Sequence, residues 1–245
     1  MHVHLQGTMG EDLSLPPRSD LVSEPANLPD VITETDAPPG SLWSRMKADP
    51  EYAPEHLALE AVRRLGPEAA RWAEQARAAH PGVAPDELAD LAVWRFTTLA
   101  RISGAVSGAA GLPGAVLDVG VLAWTQSRMV LHVAAAYGRD PTAAERATDL
   151  LVLQRVHKVA STARLALGVA AGRERASRLF AGAPGRPLSG VMVKLSVKLA
   201  QMAGIHAAKR VFAKVIPGAG IVLGTWANST ATRDLATRAR VMYRG

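Results

Sequence analysis

Glycines recur at positions 104, 108, 111 and 114 of this chain, and again at 218, 220 and 224. Spacings of three or four residues place glycines on one helix face, where the missing side chain lets a second backbone approach closely. Around them run long Ala-rich segments punctuated by Arg and Glu, with few β-branched clusters. Hydrophobic residues make up 48% of the chain but aromatics only 4%, so a core must be built from Ala, Val and Leu. These features predict an all-α protein, a single multi-helix domain with glycine-rich helix crossings.

Punctuation divides the chain. Residues 1–40 contain Pro16, Pro17, Pro25, Pro29, Pro38 and Pro39 and carry one Arg against seven acids, a net −6. That composition predicts a disordered acidic tail, with the helical domain occupying 41–245. Ser41 is an expected N-cap for LWSRMKAD, Pro54 opens EHLALEAVRRL, and Gly66-Pro67 is expected to close it before EAARWAEQARAAH. Pro85 opens a helix in which Leu88, Leu91, Ala92, Phe96 and Leu99 recur at helical spacing. GAAGLPG (108–114) reads as a link, and Gly138 as the residue closing the next helix. Asp140-Pro141 is then expected to cap and restart the chain, with helical pattern running on through LLVLQRVHKVASTARLALGVAA. AGAPGRP (181–187) reads as a loop before a basic amphipathic stretch, 188–215.

The stretch VIPGAGIVLGTWAN, 215–228, is open to three readings: phosphate loop, membrane segment or close-packed helix start. Gly218, Gly220 and Gly224 approach a dinucleotide fingerprint, but that needs a preceding strand and an acid about 20 residues on. Pro217 denies a buried strand its N–H, and too little Arg-rich chain remains for the rest of the unit. GRPLSG (185–190) has the phosphate-loop glycine spacing without its lysine. Ser107, in GAVSG, is out of register for a nucleophile elbow. Cysteine is absent, which removes disulfides, thiolate metal sites and a Cys nucleophile.

His132 shares a helix with Asp118 and Thr125, but fourteen residues from Asp118 is about 21 Å along the axis. The pair therefore reads as a polar seam between packed helices. His2 and His4 fall in the tail, and His157 and His206 lie among Lys and Arg. No catalytic residue, cofactor or metal site is expected.

Membrane spans fail on length. The uncharged runs 102–117 and 215–227 are shorter than the ~20 apolar residues a spanning helix needs, and Gly111, Pro113 and Gly114 break the first. From Arg155 onward there are 16 bases against Glu174 and Asp234, a net +14. Such a half suits an anionic lipid surface, nucleic acid or an acidic partner. Nucleic acid is disfavoured, because only Phe180, Phe212, Trp226 and Tyr243 supply stacking surfaces there. Arg233, Arg240 and Arg244 share a helical side, and Trp226 suits a membrane interface.

ISGAVSGAAGLPGAVLDVGVLAWTQSRMVLHVAAAYGRDP (102–141) and KVIPGAGIVLGTWANSTATRDLATRARVMYR (214–244) resemble the EcsC protein family. The resemblance rests on Gly108, Gly111, Gly114, Asp118, Tyr137, Gly138, Asp140, Pro217, Gly220, Gly224 and Asn228, and extends over about 45–244. The acidic leader and the AGAPGRP loop depart from the family pattern without touching these blocks. The resemblance implies a link to an ABC transporter or secretion process and peripheral membrane association, with no enzymatic residue to carry over. Trp226, Arg233, Arg240 and Arg244 are then the expected contacts to an anionic membrane surface or a membrane protein complex, on the cytoplasmic side. The alternative is a soluble ligand binder or enzyme with a polar pocket near Asp118 and Asn228, joined by Gln126 and His132.

Overall fold

The Ala- and Leu-rich runs fold as helices, and no strand occurs among the described residues. The computed structural model describes the backbone of 37–106, 111–179, 195, 198–199, 201–202 and 219–245. Side chains within 99–106, 111–118, 177–179 and 219–229 lie outside the description. The elements are α1 (Gly40–Ala48), a 3₁₀ turn (Pro50–Tyr52), α2 (Ala53–Ala79), α3 (Pro85–Val106), α4 (Gly111–Ala136), α5 (Glu145–Leu153), α6 (Ala160–Leu179) and α7 (Ala219–Arg244). Backbone at 195, 198–199 and 201–202 is also helical, with Leu195, Leu199 and Met202 buried on one face.

Helix α4 is the axis of the fold. It packs against α2, α3, α5 and α7, and every residue from Met129 to Ala136 is buried. A helix apolar all round needs neighbours on every side, and here four helices supply them. Helices α3 and α7 run antiparallel, since Asp86 meets Arg244 and Asp90 meets Arg240. Trp124, Phe96, Leu57, Leu150 and Leu151 fill the centre.

The spaced glycines at 104–114 and 218–224 lie outside the described side chains, and Gly168 and Gly172, four residues apart, have open space beside them; close approach occurs at two other glycines. A Cβ on Gly66 would stand 2.6 Å from the Pro141 carbonyl oxygen, so α2 crosses the α4–α5 connection at backbone contact. A Cβ on Gly120 would collide with the Trp43 indole.

Several expected boundaries move. Gly66-Pro67 does not end a helix, because α2 runs through it. Pro67 and Arg63 lie on the exposed face of α2, the side of a helix on which a carbonyl left without a donor is least costly. Meanwhile Ala58, Ala61, Val62, Leu65, Ala69 and Ala73 bury a continuous stripe across the break. Ser41 lies inside α1, whose N-cap is Pro39 with no side-chain cap. Gly111, Pro113 and Gly114 belong to the start of α4, leaving 107–110 between α3 and α4.

Asp140 does cap, but it caps a turn. Its Oδ1 accepts the Thr142 N–H at 2.8 Å and the Thr142 hydroxyl at 2.6 Å, and α5 starts only at Glu145. The expected continuous helix also breaks after Leu153. Arg155 takes a left-handed φ of 60°, with its N–H on Val152 and the Val156 N–H on Leu151. This is the double bond pattern of a glycine-type helix stop, formed without a glycine.

Candidate functional site

The outer face of α3 and α7 gathers the arginines singled out in the sequence. Arg240 donates to Asp90 at 2.6 Å and Arg244 to Asp86 at 2.5 Å. Tyr137, at the end of α4, donates its hydroxyl to the same Asp86 oxygen. The Tyr137 hydrogen bond, followed by Arg244, holds the Asp86 carboxyl below its ordinary range. Burial first, then that bond, raises the Tyr137 phenol. Arg233 is exposed two turns before Arg240.

Large apolar side chains stand in solvent beside this ladder. Trp94 is 55% exposed, Leu91 45% and Val241 75%. Trp94 follows Asp90 by one turn, and Val241 precedes Arg244 by one turn, so they share its faces. Leu91 thus leaves the core stripe expected of it, while Leu88, Ala92 and Phe96 are buried. The clue was present: Leu91 sits one turn from Glu87 and almost a turn from Trp94, away from the 88–92–96 line.

Tyr137, Gly138 and Asp140 form the α4–α5 connection. Gly138 has φ +73°, its N–H bonds to Ala135 at 3.0 Å, and the Arg139 N–H reaches Ala134 at 2.9 Å. Those two bonds satisfy carbonyls at the end of α4. Arg77 adds a bond to the Ala135 carbonyl at 2.7 Å, placing a cation at the negative helix end.

A polar seam crosses the core at α4. Gln126 donates to the Thr232 hydroxyl on α7, and Gln154 to the Ser127 hydroxyl, both at 3.3 Å. His132 lies between Trp72 and Phe96, at ring distances of 5.0 and 4.8 Å. Its Nδ1 sits 2.8 Å from the Arg128 carbonyl, which only accepts, so Nδ1 carries the hydrogen. Burial brings the imidazole pKa down to about 3. Glu68, 3.6 Å from Nε2, does not reverse this because Arg128 pairs with it at 2.7 Å. His132 is therefore a neutral core residue. Thr125 bonds to its own helix, at the Val121 carbonyl.

A second charged assembly was not foreseen. Glu60 on α2, 3% exposed, accepts from Arg45 on α1 and from Arg63 and Arg64 on its own helix. Arg45 also reaches Glu174 on α6 at 2.9 Å. Burial opposes the Glu60 charge, but the three guanidinium hydrogen bonds outweigh it and lower the pKa to about 2. The Glu60, Arg63 and Arg64 spacing is legible as a helical pattern. Arg45 and the burial are not.

Among the described residues no group of three or more His, Cys, Asp or Glu is placed to hold a metal. No described helix is long and apolar enough to cross a membrane. Gly108 and Pro217 lie outside the described residues, and the surroundings of Gly111, Gly114, Asp118, Gly220, Gly224, Trp226 and Asn228 lie outside the described side chains.

The model of the EcsC protein family matches residues 84–245. The chain belongs to that family. No curated protein matches it, and neither does any solved structure. The EcsC match takes in the α3–α7 ladder, the Tyr137-Gly138-Asp140 connection and the seam. It begins at Ala84, later than the expected 45, so α1 and α2 stand before it although both pack into the same core. In this EcsC protein the Glu60 assembly is therefore built mainly from helices preceding the matched region.

Proposed function

We propose that this EcsC-family protein is a non-enzymatic module that docks peripherally on an anionic membrane surface through the outer face of α3 and α7, in the service of a transport or secretion complex. The carrying observation is the exposure of Trp94, Leu91 and Val241 around a row of arginines, Arg233, Arg240 and Arg244. Indole and aliphatic groups enter the headgroup boundary while guanidinium groups stay with phosphates. Each Lys or Arg near an anionic surface contributes about 1 kcal/mol. Asp86 and Asp90 offset part of that attraction, which makes the attachment reversible and salt-sensitive. Trp226 belongs to the same reading as an interfacial anchor, and the cytoplasmic leaflet is the expected surface.

Cell fractionation tests this. The protein is expected in the membrane pellet, released by high salt and needing no alkaline carbonate. Recovery in the soluble fraction from the start would sink it.

The Gln126–Thr232 bond favours a second reading, since it joins the two helices that carry Asp118 and Asn228. On that reading a polar pocket binds a small ligand. Asp118→Asn and Asn228→Ala would then remove ligand-induced stabilisation without unfolding the chain; unfolding by both would make them structural.

A further inference from the structure

Helix α6 rests on α2 and α5, whereas α3 and α7 pack on each other and on α4. Its inner side is a narrow line in which Ala163, Leu167 and Ala170 are buried. Glu174, its one acid, is on that side and pairs with Arg45. The opposite side is apolar and unpartnered: Leu165 is 74% exposed and Val169 42%. Helical spacing sets Ser161, Gly168 and Gly172 beside that pair, and a Cβ on either glycine would meet nothing within 4 Å. Leu165 and Val169 thus form a ridge along a groove floored by glycine. Glycine weakens an exposed helix interior, and these two gain no close packing within the described chain.

Charge decides what fits the groove. Arg164 and Arg175 edge it, Arg173 lies beyond the ridge, and all three are exposed. Arg173 pairs with Asp49, while no described acid pairs with Arg164 or Arg175. A second copy would bring the same arginines face to face. Residues 180–218 carry six bases and no acid, so like charge opposes them as well. A bilayer would use the ridge and the arginines but gain nothing from the glycines. A helix backbone needs that gap to approach closely.

We propose that the outer face of α6 docks an acidic amphipathic helix of a partner protein. Its small apolar residues sit over Gly168 and Gly172 against Leu165 and Val169, and its carboxylates meet Arg164 and Arg175. The site does not depend on docking by the α3–α7 face.

Fluorescence anisotropy of the full chain with a labelled synthetic helical peptide tests the proposal. The peptide carries Ala and Leu along one face, flanked by Glu, and a matched peptide carries Lys in place of Glu. Wild type should bind the acidic peptide saturably and ignore the basic one. Gly168→Leu fills the groove and should weaken binding about ten-fold or more. Its urea midpoint should not fall, because the site is open and leucine is the better helix former. Arg164→Gln with Arg175→Gln should weaken binding about five-fold and flatten its salt dependence. The Leu91→Ser, Trp94→Ser double variant should bind the peptide as wild type does, which keeps this site distinct from the α3–α7 face. No binding by wild type, equal binding of both peptides, or undiminished binding by Gly168→Leu would overturn the proposal. So would a dimer that Gly168→Leu dissociates, which gives the face to a second copy, or flotation on anionic vesicles lost in Leu165→Ser, which gives it to a membrane.

Discussion

Two carboxylate–arginine assemblies occupy different places in the fold and do different work. At α1–α2–α6, Glu60 is sealed from water and shared by three arginines. At α3–α7, Asp86 and Asp90 are 54% and 64% exposed in their pairs with Arg244 and Arg240. Water screens the second set, so those pairs exchange easily with an outside anion. In the first the carboxylate itself is out of water, although Arg63 and Arg64 are 63% and 49% exposed, and Arg45 ties it to α1 and to Glu174 on α6. The same chemistry is thus an anchor in one place and, on the proposed function, a contact surface in the other.

Removing the anchor should produce the largest effect. Glu60→Gln leaves three guanidiniums facing a neutral amide and is expected to cost about 2–3 kcal/mol in urea unfolding, short of the full penalty of a buried unpaired charge because Arg63 and Arg64 reach water. A loss below about 1 kcal/mol would place Glu60 with the surface pairs. Acid should act through the same group. The folded Glu60 pKa, about 2, lies below the ordinary 4.5, so its contribution is complete above pH 4.5 and fades as pH falls toward 2. The total is up to about 3 kcal/mol. His132, lowered from 6.5 to about 3 by burial, works in the same direction, losing stability as pH falls through that window. The Glu60→Gln variant should keep the His132 part of the acid profile and lack the Glu60 part.

Gly66→Ala comes next. The new methyl would press on the Pro141 carbonyl, and overpacking against backbone costs about 1–3 kcal/mol. An unchanged unfolding midpoint would mean that α2 does not cross there so closely.

How much of this was readable in advance depends on whether the determining interaction is local. Helical spacing identified the all-α fold, the buried 88–92–96 stripe and the α4 stop at Gly138, because each is written within a few residues. Pro67 misled because a local breaker was outweighed by a stripe extending on both sides of it. The stop at Arg155 misled for the opposite reason. Its side chain is an ordinary helix former, and the left-handed turn comes with tertiary contacts: buried Gln154 bonds to Ser127, and His157 meets Glu55 at 2.7 Å. The arginines of α7 were legible as a row. Their partners Asp86 and Asp90 stand some 150 residues earlier, and only the antiparallel packing of α3 on α7 brings them together. Glu60 was hidden likewise, since Arg45 reaches it from α1 and itself pairs with Glu174 on α6.

Smaller effects probe the surface half of the comparison. Asp90→Asn should change stability by less than about 1 kcal/mol. Freeing Arg240 should also raise affinity for anionic vesicles about five-fold, the equivalent of one added cation. A large stability loss would show that the ladder is a second anchor. Smallest is Arg155→Gly. Relief of the left-handed strain, partly offset by glycine's chain entropy, should stabilise the fold by about 0.5–1 kcal/mol, read from the urea midpoint.

The most direct test of the central claim is vesicle flotation of the wild type beside a Leu91→Ser, Trp94→Ser double variant, with urea unfolding of both. Wild type should float with anionic vesicles at low salt, release at high salt, and ignore neutral vesicles. The double variant should lose flotation while keeping its unfolding midpoint, because both side chains already face water. Equal flotation of the two, or none by the wild type, would contradict the assignment of the α3–α7 face to a membrane surface.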